Sequence, residues 1–134
     1  MLAILLPHFF CNAAGMALVL CTGTDRTLIQ TRAMVLERAG HTVMSAMGEH
    51  ELIAVCSRNT FDVAVIGQAV SSFEKKRIMG LVRQYCPNTK VLELFIPPGG
   101  KMLPEADDWL EAPVSPPSDL AERVSVLAKG ASPK

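Results

Sequence analysis

Phe61-Asp62-Val63-Ala64-Val65-Ile66-Gly67 is an apolar, β-branched run, uncharged after Asp62, with turn-forming residues at 57–60 before it and a glycine where it stops. A run this short and this apolar has the pattern of a strand buried on both faces, as in the centre of a parallel sheet. Open α/β sheets place their chemistry in the crevice beyond the carboxyl ends of the strands. At that tip stands Gly67, which has no side chain to offer.

Outward from this strand, apolar runs of strand length recur at 17–22, 41–46, 90–96 and 108–111. Between the first two, Asp25 is placed to cap a helix over 26–39 that Gly40 ends in a left-handed turn. Leu28, Ile29, Val35, Leu36 and Ala39 form its apolar stripe, and Arg32, inside that stripe, is expected to snorkel along the core edge. Gly48-Glu49-His50-Glu51 opens a helix that stops near Arg58. Ser71 and Glu74 have capping-box spacing and start a helix with Ile78, Leu81, Val82 and Tyr85 at helical intervals, ended by Pro87. The charged run Glu74 to Arg77 is assigned to its exposed face.

The pattern falters after the fourth strand. Pro97, Pro98, Gly99, Gly100 and Pro104 leave no room for an ordinary helix, so a loop, or at most one helical turn, is expected there. The last helix starts around 115–118, with Pro116 in its first turn, and buries Leu120, Val124 and Leu127; residues 130–134 form a tail. Five strands interleaved with about four helices make a doubly wound parallel sheet the economical architecture, in one domain over 16–129.

The chain has 134 residues, of which 49% are hydrophobic and 5% aromatic, so the core is aliphatic. Zero formal net charge, with Lys and Arg spread along the chain, gives no footprint for nucleic acid or an anionic membrane. Cys11, Cys21, Cys56 and Cys86 show no CxxC spacing and fit a reduced, cytoplasmic setting. Residues 1–15 carry no Lys, Arg, Asp or Glu, but Pro7 and His8 break the apolar run and no positive segment precedes it. They are read as a dispensable extension before a natural start at Met16, in preference to a secretory leader.

Four segments together carry a resemblance: Val35-Leu36-Glu37-Arg38-Ala39-Gly40-His41-Thr42-Val43, Ser45-Ala46-Met47-Gly48-Glu49, the central strand, and Ala106-Asp107-Asp108-Trp109-Leu110 followed by Pro113. In this order and spacing the sequence resembles the CheY-like receiver domain of bacterial two-component response regulators, over nearly all of 16–129. The resemblance implies the flavodoxin-like strand order 2-1-3-4-5. It also implies a site: a phosphoacceptor aspartate ending the third strand, an acidic pair after the first that helps hold Mg²⁺, a hydroxyl ending the fourth and a lysine after the fifth. These fall on Gly67, on Gly23 and Thr24, on Phe95 and on Ala112, none of which can do the family's work.

A pseudo-receiver is therefore expected, without metal, cofactor or catalytic residue. Its crevice should be small and apolar, with Phe95 filling the vacated volume. Asp25 is a helix cap rather than a metal ligand, Asp62 lies at the opposite end of its strand, roughly 16 Å away, and Asp107 and Asp108 keep the sheet edge soluble. Trp109, in the family's aromatic position, is assigned to core or interface packing. The Ala112-Pro113 bond is cis or trans, with trans the commoner form for X-Pro. His8, His41 and His50 lack ligand spacing, and Cys56 and Cys86 lack a histidine base. The favoured function is a stand-alone protein-interaction module that docks to another signalling protein. The alternative is a small-ligand or nucleotide-binding domain using the crevice at Gly23 and Gly67, where glycine admits close backbone approach; Thr22-Gly23-Thr24 is a weak phosphate-loop signal.

Overall fold

The computed structural model describes residues 16–130; the extension at 1–15, Cys11 and the end of the tail lie outside them. In chain order the elements are β1 (Leu18–Gly23), α1 (Arg26–Arg38), β2 (Thr42–Met47), α2 (Glu49–Arg58), β3 (Val63–Ile66), α3 (Ser72–Tyr85), β4 (Lys90–Phe95), β5 (Asp108–Glu111) and α4 (Ser118–Ala128). The five strands form one parallel sheet ordered β2-β1-β3-β4-β5, with β3 in the middle. All four residues of β3 are buried, as the uncharged run requires.

The period of two splits each strand between two cores. Val19, Cys21, Val63, Val65, Leu92 and Leu94 face α1 and α4. Leu20, Ala64, Ile66 and Val91 face α2 and α3. Local signals set the helix ends: Asp25 accepts from Leu28 N at 3.1 Å, Ser71 accepts from Glu74 N at 3.1 Å, and Gly40 takes φ +100° after α1. Pro116 falls just ahead of α4 rather than in its first turn, since that helix begins at Ser118.

No helix joins β4 to β5 among the described residues, and the connecting loop does a helix's packing with two residues. Leu103 and Ala106 are buried against the α3 side of the sheet. A buried ion pair holds the loop down. Lys75 Nζ lies 2.7 Å from Glu93 Oε2 and also donates to Leu94 O, while the Glu93 carboxylate accepts from Met102 N at 2.9 Å and Leu103 N at 2.9 Å.

This corrects the assignment of the Glu74 to Arg77 run to an exposed face. Lys75 is 1% exposed, because it precedes Ile78, Met79 and Val82 by three, four and seven residues and shares their face. Tyr85, by contrast, turns outward from that face.

Candidate functional site

The crevice at the carboxyl ends of β1 and β3 is built from Gly23, Thr24 and Asp25 on one side and Gly67, Ala69 and Val70 on the other. Gly67 N donates to Thr22 O at 3.1 Å, and Thr24 Oγ1 donates to Ala69 O at 3.0 Å, so the two chain segments are tied directly to each other. Neither glycine has a positive φ, so their backbones would accept a side chain without strain.

The deciding residue is one that the sequence places elsewhere. A Cβ built on Gly67 would stand 2.8 Å from Arg32 Nη1, so the guanidinium fills the space a side chain at the tip of β3 would take. Arg32 also donates to the Gln68 side-chain oxygen. With Ile29 and Val70 packed over Gly23, no space large enough for a water molecule is left in the crevice. Arg32 thus does more than snorkel along the core edge: half-buried, it lays its head over Gly67, because the glycine leaves a hole and Gln68 supplies an acceptor. Burial lowers its pKa from the ordinary guanidinium value, against the opposing pull of the Cys21 thiol and Asp25.

Phe95 does not fill the crevice. Its ring is half-buried at the end of β4, with Lys101 Nζ 5.8 Å from its centroid and 5.0 Å from that of Trp109. Trp109 Nε1 donates to Leu103 O at 2.9 Å, so the indole pins the β4–β5 loop. Ala112 is buried after β5, and its bond to Pro113 is cis.

The four aspartates weighed in the sequence, Asp25, Asp62, Asp107 and Asp108, are each occupied structurally. Asp25 caps α1, and Asp62 Oδ2 accepts from Leu18 N at 2.8 Å. Asp107 Oδ2 accepts from Val91 N at 2.7 Å and pairs with Arg83, while Asp108, 7% exposed, binds Arg123 at 2.7 Å. The last two do more than keep an edge soluble: they tie β5 to β4, α3 and α4. Among the described residues, no three His, Cys, Asp or Glu side chains converge where they could hold a metal ion. His50 is exposed, whereas His41 is buried with Nδ1 accepting from Ala17 N at 2.9 Å.

Thr22 Oγ1 is buried without a hydrogen-bond partner among the described residues, so Thr22→Val removes an uncompensated hydroxyl and is expected to raise stability by about 1 kcal/mol, read from the urea midpoint. Burial pushes the Cys21 thiol up to about 12 from an ordinary 9, and burial together with the neighbouring Cys86 does the same to Cys56. The folded chain then keeps protons that the unfolded chain releases. Their contribution to stability is full below about pH 9 and lost as pH rises toward 12. The urea midpoint should fall between about pH 8 and pH 10.5, and fall less in Cys21→Ala.

Solved structures share this architecture. The response regulator receiver domain protein (CheY-like) from Methanospirillum hungatei JF-1 matches with a TM-score of 0.71 at 20% identity, covering 86% of this chain and 95% of that one. The Francisella response regulator 1452 receiver domain matches with a TM-score of 0.70 at 24% identity, covering 85% and 98%. An adenylate cyclase from Rhodopirellula baltica matches with a TM-score of 0.73 at 18% identity, covering 85% and 88%. No protein-family model and no curated protein matches the sequence. The five-stranded parallel sheet, its 2-1-3-4-5 order and its flanking helices are those of the CheY-like, flavodoxin-like fold.

Proposed function

We propose that this chain is a receiver-like signalling module of the cytoplasm, a pseudo-receiver that is not phosphorylated through aspartate and acts by docking to another signalling protein. The single observation that carries this is the Arg32 guanidinium packed against Gly67. A receiver gathers carboxylates at the tip of its middle strand to hold Mg²⁺ and take a phosphoryl group. Here a cation stands in that place, and it repels the metal that the chemistry needs. Zero net charge favours a protein over a nucleic acid as the partner. Among the described residues no helix is long and apolar enough to cross a membrane.

Incubation with acetyl phosphate and Mg²⁺ tests the proposal by intact mass. The expected spectrum is unchanged, and a partner recovered with the chain from its host should be retained equally before and after the treatment. A phosphoryl adduct on this chain overturns the proposal.

A further inference from the structure

We propose that the groove between α1 and the β5–α4 connection binds a small carboxylate with an aliphatic body, its carboxylate paired with Arg32. The groove is a cavity of about 200 Å³ beside the filled crevice, and Arg32 belongs to both. Leu28 and Val35 form one wall, and Val114 and Leu120 the other. The groove exists because the apolar stripe of α1 is wider than the sheet covers. Ile29 and Leu36 go into the core, whereas Leu28 and Val35 stay half-buried on the shoulder facing α4.

Charge selects the ligand. Arg32 is half-buried, and no carboxylate of the described residues lies within 4.0 Å of its guanidinium; its side-chain partner is the neutral amide of Gln68. Asp25, the acid that acts on it at longer range, is committed to Leu28 N. A guanidinium carries five N–H donors in a planar fork that matches a carboxylate. A partly desolvated cation without a counter-charge gains from an anion that brings little water with it. Of the other polar residues of the lining, Thr31 donates its hydroxyl to Thr27 O and Gln68 gives its side-chain oxygen to Arg32, so the groove offers one cation and, beside it, only neutral donors, which suits a singly charged carboxylate over a doubly charged phosphate. The volume lies below the roughly 300–1,000 Å³ of clefts that take drug-sized ligands, which makes the occupant small. This inference does not depend on the docking proposal: it uses Arg32 as a donor, whatever the chain's partner.

The test uses the full chain, isothermal titration and backbone amide shifts, with acetate, butyrate, hexanoate and hexan-1-ol as probes. Each methylene added to the carboxylate is expected to tighten binding about fourfold until the groove is filled. Hexanoate should bind at least about tenfold tighter than hexan-1-ol, which has the body without the charge, and should shift the amides of Arg32, Val114 and Leu120. Arg32→Gln should abolish the advantage of hexanoate over hexan-1-ol. Val114→Asp, which leaves Arg32 in place, should block hexanoate while circular dichroism stays unchanged. Equal affinity for hexanoate and hexan-1-ol, unaltered hexanoate binding by Val114→Asp, or displacement of hexanoate by equimolar inorganic phosphate would each overturn the proposal.

Discussion

Lys75→Met is expected to destabilise the chain by about 3–5 kcal/mol, because it leaves the Glu93 carboxylate, 0% exposed, without its counter-charge. The two backbone donors from Met102 and Leu103 soften the loss without removing it. The double variant Lys75→Met/Glu93→Leu should be less damaged than the single, since neither charge is then stranded. It still loses the acceptor that holds Met102 and Leu103, so the loop at 96–107 should become the first site of limited proteolysis. Urea unfolding of the two variants beside the parent checks the order. A single variant as stable as the parent would mean that the pair contributes nothing and that Leu103 and Ala106 alone anchor the loop.

Placing acids in the crevice is expected to create a metal site only when Arg32 is removed. Gly23 and Gly67 have ordinary backbone angles, and a Cβ on Gly23 would meet the Val70 and Ile29 side chains at 3.6 and 3.9 Å, which is normal contact. The variant Gly23→Asp/Thr24→Asp/Gly67→Asp therefore has the carboxylates but keeps a guanidinium among them. At about 4–5 Å and an effective dielectric near 20, one unit charge changes the energy of another by about 3–4 kcal/mol. Adding Arg32→Ser should accordingly strengthen Mg²⁺ binding by at least about 100-fold, measured by calorimetric titration of the two variants. Equal Mg²⁺ affinity in both would show that Arg32 is a bystander.

How far the sequence reveals this molecule depends on how local each determinant is. The β3 run, the Asp25 and Ser71 caps, Gly40 and the helix-free stretch at 97–104 are all statements about neighbours in the chain, and the structure agrees with each. That Gly23, Thr24 and Gly67 offer no carboxylate is equally local. What occupies their place is not. Arg32 meets Gln68 across 36 residues and Lys75 meets Glu93 across 18, so each contact exists only once the sheet order is set. The helical spacing of Lys75 with Ile78, Met79 and Val82 was a signal that it shares their buried face; the charged neighbours on either side hid it. Phe95 shows the converse error. Its volume suits a small apolar crevice, but at the end of β4 it goes under Lys101, toward the loop.

One property organises the described chain: a CheY-like fold with a guanidinium packed against the tip of its middle strand. Mg²⁺ titrated with beryllofluoride into the full chain probes that property most directly, followed by the backbone amides of Gly23 and Gly67 and by Trp109 fluorescence. The expected result is no saturable change in any of the three signals at millimolar metal. A saturable shift at the Gly67 amide together with Trp109 quenching would contradict it, and would mean that Arg32 swings aside to admit both metal and phosphoryl mimic.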